Sequence, residues 1–189
     1  MNQILGGMMK NASIFTLLLF FVLSINGNAQ DKFQYIGSKK CGACHKSAKQ
    51  GEQLKIWEAS SHAKAYETLK SAKADEIAKS KGLGKAVEAK ECLACHVTGH
   101  GKDAKMFDKS FSIEEGVQCE ACHGAGSEYK NMKIMKDHAQ SVANGMTDYK
   151  DEAAIEAQCK TCHNEKSPTY KKFVFKESWA KIAHPIPSK

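Results

Sequence analysis

The stretch Cys41-Gly42-Ala43-Cys44-His45 sets two cysteines three positions apart and puts a histidine directly after the second. The same Cys-x-x-Cys-His pattern returns at residues 92–96, 119–123 and 159–163, and the four copies contain all eight cysteines of the chain. Two thiols at this spacing lie on one side of a helical turn, where both can bond the same porphyrin, and the histidine then ligates its iron. The sequence therefore predicts four covalently bound c-type haems.

Each predicted haem has two attachment cysteines and one proximal iron ligand. Four disulfides or zinc sites could also use eight cysteines, but neither requires a histidine after every pair. The predicted attachment residues are Cys41, Cys44, Cys92, Cys95, Cys119, Cys122, Cys159 and Cys162, and the predicted proximal ligands are His45, His96, His123 and His163.

The N-terminus is typical of a secretory signal. Lys10 precedes an apolar run at residues 14–25, and small and polar residues then lead to Ala29. This run is shorter than the roughly 20 residues that a membrane-spanning helix needs. We expect cleavage of residues 1–29, a periplasmic protein without an integral membrane span, and one tetrahaem domain at residues 30–189.

The predicted fold is mainly α with long irregular loops, little or no β structure, and a four-haem cluster at its centre. Four haems in a mature chain rich in lysine, alanine and glutamate would supply much of the apolar surface that a domain of this length normally buries with side chains. The intervals between the motifs follow no fixed period, which favours one integrated domain over an array of repeats.

The net charge and the types of basic residue argue against two kinds of binding site, one for nucleic acid and one that clamps a small oxyanion with arginine. The formal net charge is +7, but the haem propionates would offset most of it, so a nucleic-acid partner is not expected. All 28 basic residues are lysine, and no arginine is present to clamp a small oxyanion with two hydrogen bonds. The lysines indicate either a salt-sensitive docking surface for an acidic redox partner or simply a solvated surface.

The remaining four histidines, His62, His100, His138 and His184, could supply the second axial ligands. His62 lies in a stretch, residues 52–69, whose helical periodicity puts it on an apolar face, which favours iron ligation. His138 follows Met132 and Met135 at three-residue intervals, which predicts one buried helical face. A methionine ligand in this segment is the alternative.

Of the other two histidines, we expect His184 but not His100 to ligate iron. His184 follows an aromatic-rich segment that should dock the C-terminal tail, so we expect a ligand there. His100 lies only four positions after His96 and cannot pass around the porphyrin edge to the far side of the same iron. We expect it to contact a propionate, line an open pocket or face solvent, with ligation of a neighbouring haem as the alternative.

Several blocks of the sequence resemble the tetrahaem cytochrome c-554 family, known from carriers that take electrons from hydroxylamine oxidoreductase in ammonia oxidation. The likeness covers most of residues 37–184, and its specific parts are the blocks at residues 37–41, 57–63, 92–101 and 116–124 and the final helix ending at His184.

The resemblance implies a set of distal ligands. His138 would serve the first-motif haem, His62 the fourth and His184 the third, and the second-motif haem would have an empty sixth position. The sequence departs from the family at His100, where the family has an apolar aromatic residue, so the empty position could be altered here.

The sequence leaves two functions open. The first is a periplasmic electron carrier between other redox proteins, with a donor similar to hydroxylamine oxidoreductase as one candidate partner. The alternative is a haem enzyme that reduces nitric oxide or a related nitrogen oxide at an open haem on His96, with His100 nearby. No residue is a firm catalytic candidate, and open coordination alone supplies no proton donor, so the carrier is our leading hypothesis.

Overall fold

The computed structural model describes residues 32–184, so the predicted signal and its cleavage after Ala29 lie outside the described range. Ten short α-helices occur there. In chain order they are α1 (Ser38–His45), α2 (Gln53–Ala59), α3 (Ala65–Thr68), α4 (Ala72–Ser80), α5 (Lys90–His96), α6 (Cys119–His123), α7 (Met132–Met135), α8 (His138–Ala143), α9 (Glu152–Lys160) and α10 (Phe175–Trp179).

The predicted fold class is confirmed. No strand occurs in residues 32–184, and irregular segments connect the helices. An isolated β-bridge pairs Tyr35 with Phe107. The longest helices, α4 and α9, have nine residues each. Helices shorter than about 12 residues are marginal in isolation, so these depend on tertiary contacts. None of the helices in this part of the chain has the length and apolar character needed to cross a bilayer.

The Cys-x-x-Cys-His motifs coincide with helix ends. Helices α1, α5 and α6 each end on the proximal histidine of their motif, while α9 ends one residue after Cys159. The Asp151 side chain begins α9 by accepting a hydrogen bond from the Ala154 backbone N–H at 2.8 Å. The helical turn that the thiol spacing requires is therefore present at all four motifs or immediately beside them.

The prediction that His62 lies on a continuous helical face within residues 52–69 is wrong, because the helix is interrupted at residues 60–64. Helix α2 stops at Ala59 because Ser60 donates both its backbone N–H and its hydroxyl to the carbonyl of Trp57, at 2.9 and 2.7 Å. Serine hydroxyls compete with the helix for backbone groups in this way. His62 consequently lies in the turn between α2 and α3 rather than on a helix.

The predicted helical face around His138 is also wrong. Asp137 caps α8 by accepting a hydrogen bond from the Gln140 backbone N–H at 3.0 Å, so a new helix begins at His138 after α7 has ended. Met132 is 66% exposed. Met132 and His138 therefore share no buried helical face, and the capping chemistry of aspartate outweighs the three-residue periodicity.

The apolar core formed by side chains is small. Within residues 32–184 only eleven apolar residues are buried, four of them alanine. One compact cluster joins Leu69, Ala78 and Ala86 beside α4. The largest fully buried side chains in the described part of the chain include Gln118 and Glu120, which are polar. A side-chain core of this kind gives little hydrophobic stabilisation for a chain of this size.

Glu120, inside the third motif, is a buried carboxylate bonded to backbone. It is 1% exposed, and its two oxygens accept four hydrogen bonds of 2.8–3.0 Å from the backbone N–H groups of Ile36, Gly37 and Gly126. Charge-assisted bonds of this type are stronger than bonds between neutral groups. Glu120 thus joins the segment before α1 to the segment after α6.

Gln118 makes a second set of buried connections beside Glu120. Its Oε1 accepts from the Ser38 backbone N–H at 3.0 Å, and its Nε2 donates to the Ser112 carbonyl at 2.8 Å. Its own backbone N–H donates to the Thr98 hydroxyl at 2.7 Å, just after the second motif. Glu120 and Gln118, called the polar junction below, therefore fix the first three motifs relative to one another.

Replacement of Glu120 by glutamine should destabilise the protein. Glutamine keeps one acceptor oxygen but turns an amide NH₂ group towards backbone N–H donors, and an unsatisfied buried donor costs about 1–3 kcal/mol. The free energy of unfolding of the haem-loaded E120Q protein in guanidinium should fall by about 2 kcal/mol.

The matched control is Glu88→Gln, which removes the same charge from a side chain that is 71% exposed. Its stability should stay within about 0.5 kcal/mol of the parent. Equal stability of E120Q and E88Q would contradict the role assigned to the polar junction.

Candidate functional site

The eight cysteines are all unpaired. Among residues 32–184, no group of three or more His, Cys, Asp or Glu side chains comes together in an arrangement that could hold a bare metal ion. The geometry therefore gives no support to structural disulfides or to a zinc site built from these thiols.

Two imidazoles face each other across a cavity at the fourth motif. The ring centres of His62 and His163 are 6.0 Å apart. A cavity of about 350 Å³ is lined by both rings, by Cys159 of the same motif and by Trp179 of α10. Phe173 stacks on the outer side of His163, with ring centres 5.1 Å apart and planes inclined by 18°.

A second pair of imidazoles lies at the third motif. The ring centres of His123 and His184 are 5.8 Å apart. The motif backbone is held by hydrogen bonds from the Tyr149 hydroxyl to the Cys122 carbonyl at 2.9 Å and from Gln158 Nε2 to the Ala121 carbonyl at 3.0 Å. The C-terminal segment thus places His184 next to the third motif, although the two are far apart in the sequence.

These separations fit an iron held between two imidazoles. Two metal–nitrogen bonds of about 2 Å each, plus the distance from each nitrogen to its ring centre, give roughly 6 Å between ring centres. Burial lowers the pKa of His123 to about 4, with His184 and His45 acting in the same direction. Burial also lowers the pKa values of His62 and His163. Neutral imidazole is the form that ligates a metal.

At the second motif a backbone carbonyl orients His96, and no other histidine ring contacts it among residues 32–184. His96 Nδ1 lies 2.7 Å from the carbonyl of Ala65, which selects the tautomer that leaves Nε2 available for a metal. His100 is exposed in the loop after α5 and has no ring contact with His96 among the described residues. The expectation that His100 is not an iron ligand stays a prediction.

At the first motif, unlike the third and fourth, the two candidate ligands are not in ring contact. His45 Nδ1 lies 3.4 Å from Oε1 of Gln53 in α2. His138 is largely exposed, and its Nε2 lies 3.3 Å from Oδ1 of Asp148. This contact leaves the other ring nitrogen, Nδ1, as the one available to a metal. The structure brings no ring contact between His45 and His138 within the described residues.

Cysteine side chains of different motifs lie close together. A hydrogen bond with Cys119 raises the pKa of Cys41, which joins the first motif to the third. Burial raises the pKa of Cys95 to about 11, with Cys162 contributing both charge and a hydrogen bond, which joins the second motif to the fourth. Burial raises the pKa of Cys122, and charge on Cys159 adds to this effect, which joins the third motif to the fourth. The four motifs are therefore neighbours of one another.

Several groups that hold these histidines could not be predicted from the sequence. The His62 turn packs on Gly116, whose φ is +70° and whose Cα is so close that an added Cβ would lie 2.7 Å from the His62 carbonyl. The same carbonyl accepts the Val117 backbone N–H at 3.0 Å. A backbone acceptor such as the Ala65 carbonyl leaves no trace in sequence, whereas a glycine before a motif could have suggested a close approach.

Comparisons with known proteins agree with this arrangement. The family model "Cytochrome c554 and c-prime" matches residues 40–124, which contain the first three motifs. Cytochrome c-554 of Nitrosomonas europaea is 32% identical over an aligned length of 137 residues, and the match covers 67% of this chain and 56% of that protein. The chain thus spans little more than half the length of this relative.

A solved structure is also similar. The reduced state of cytochrome c554 from Nitrosomonas europaea is 27% identical and matches with a TM-score of 0.50, covering 80% of this chain and 78% of the other. The attachment motifs, the helical fold and both comparisons lead to one conclusion: the chain belongs to the cytochrome c-554 family, and this membership implies covalently bound c-type haem.

Proposed function

We propose that the protein is a periplasmic tetrahaem cytochrome that carries single electrons between other redox proteins. The observation that carries this proposal is the pair of facing imidazoles at two motifs, 6.0 and 5.8 Å apart between ring centres. Haem bound between two histidines supplies a one-electron iron couple of low potential and leaves no position for an exogenous ligand. These residues suit electron transfer rather than substrate binding.

The distal ligands are assigned from this geometry and from the family resemblance. His62 serves the fourth motif opposite His163, and His184 serves the third opposite His123. His138 is assigned to the first motif by the family resemblance alone, because no ring contact joins it to His45 among the described residues. His100 is exposed and is assigned no ligand role.

The contacts between motifs support a continuous path for electrons. The first motif adjoins the third through Cys41 and Cys119, and the second adjoins the fourth through Cys95 and Cys162. Charge on Cys159 raises the pKa of Cys122, in addition to the effect of burial, so the third motif also adjoins the fourth. Four cofactors attached at these thiols would form one connected group with two ends.

Export and partners follow from the same reasoning. Attachment of haem to such motifs is expected outside the cytoplasm, and residues 1–29 have the pattern of an export signal. The partners are other redox proteins, among which a donor similar to hydroxylamine oxidoreductase is one candidate. An open position at the second motif would by itself supply neither a proton donor nor contacts that position a substrate, so we do not propose the alternative of an enzyme that reduces nitrogen oxides.

A spectroelectrochemical titration of the purified holoprotein should require four electrons per chain, taken up in separate one-electron steps. The reduced protein should be reoxidised by another redox protein without consuming nitric oxide. Sustained turnover of nitric oxide, or fewer than four electrons per chain, would contradict the proposal.

Substitution of distal histidines by methionine should raise the potential of one haem at a time, because His/Met ligation favours ferrous iron more than bis-histidine ligation does. H62M and H184M should each shift one step of the titration by at least about 0.1 V, a small part of the range of about 0.8 V that axial ligands control.

The matched control for these variants is His100→Met, at an exposed position in the same protein. All four potentials of H100M should equal those of the parent. A shift in H100M without a shift in H62M would overturn the ligand assignment.

A further inference from the structure

The segment that closes the fourth-motif cavity has a strongly basic outer side. Residues 165–181 contain five lysines and two glutamates, a net charge of +3. The lysines are Lys166, Lys171, Lys172, Lys176 and Lys181, called the lysine strip below, and all five are exposed. Within residues 32–184, no ion pair involves any of them.

A second lysine-rich segment, residues 71–91, has a lower net charge, and two of its lysines form ion pairs. Residues 71–91 also contain five lysines, but four acidic residues among them reduce the net charge to +1. Lys73 is paired with Glu76 and Lys85 with Glu88. A general bias towards lysine would therefore not by itself produce the unpaired charge of residues 165–181.

The inner side of the same segment packs on the haem-binding residues. Phe173 stacks on His163, Phe175 is buried, and Trp179 lines the fourth-motif cavity. Lys181, at the end of the strip, also borders this cavity. The segment that carries the lysine strip thus packs directly on residues of the fourth motif.

The strip has the composition of a transient protein-docking surface. Tyr170 and Val174, between the lysines, are 38% and 40% exposed and give the strip an apolar centre. Weak redox encounters use small interfaces with a charged, wet rim around such a centre. The aromatic side chains that a lipid surface would need on the outside, Phe175 and Trp179, pack inward instead, so a protein partner fits better than a membrane.

We infer that the lysine strip is the docking surface for an acidic one-electron redox protein, which exchanges electrons with the cofactor of the fourth motif. This inference rests on the proposed electron-carrier function. In the exchange, the donor would lose one electron and a haem held by Cys159, Cys162 and His163 would accept it, with no bond made or broken. Lysine suits this role because its ammonium group attracts a partner without imposing a fixed hydrogen-bond geometry.

The test uses the oxidised holoprotein and a reduced plant-type [2Fe–2S] ferredoxin as an acidic donor, followed by stopped-flow absorption. The triple variant K171Q/K172Q/K176Q removes three charges from the strip. Its second-order rate constant at low ionic strength should be about 10-fold lower than that of the parent, within the range that electrostatic steering commands. In 1 M salt the two rate constants should converge, since the screening length falls to about 3 Å.

The matched control is K73Q/K79Q/K81Q, which removes three exposed lysines from α4 and the residue after it. Its rate constant should fall less than about 2-fold, because steering depends on where the charge lies and not only on the total. Equal slowing of both variants, or of neither, would overturn the assignment of the docking surface. Loss of binding to phosphatidylglycerol vesicles with unchanged ferredoxin kinetics would overturn it as well.

A small uncharged donor, photoreduced riboflavin, separates this inference from the function on which it rests. If riboflavin reduces the parent and both variants at equal rates and the ferredoxin rates also agree, the docking surface is refuted and the carrier function stands. If riboflavin cannot reduce the haems of the parent at all, the carrier function itself is refuted.

Discussion

Three bonds, two thioethers and one histidine–iron bond, would join a haem to each Cys-x-x-Cys-His motif, and the described residues offer few other interactions that hold the fold together. The helices have at most nine residues, and the buried apolar side chains of the described range are few and partly alanine. Four covalently held porphyrins would supply the missing apolar surface between the neighbouring motifs. The cofactors would then form most of the apolar core, and the short helices would pack around them.

The polar junction complements this core by setting the positions of the motifs. Glu120 and Gln118 bond to backbone groups next to α1, and Gln118 also bonds to Thr98 after α5. Buried polar groups of this kind stabilise only when every donor and acceptor is satisfied, and they then favour one arrangement over others. Electron transfer between attached haems depends on their spacing, so a rigid connection between motifs would serve the proposed function directly.

The sequence was informative where chemistry fixes spacing and uninformative where tertiary contacts decide. The motifs and the helical fold class were predictable because thiol attachment needs one helical turn. The break at Ser60 and the new helix at His138 were not, because single serine and aspartate side chains redirect the backbone against the apolar periodicity. The burial of Glu120 was equally hidden, since a charged residue inside a motif is normally exposed.

The mass of the intact purified protein gives the most direct test of a core made from covalently attached cofactors. The account predicts the mass of the mature chain plus four haems, retained under denaturing conditions because thioethers do not dissociate. A chain mass with fewer than four haems would contradict the account, as would a mass lowered by two hydrogens for each disulfide.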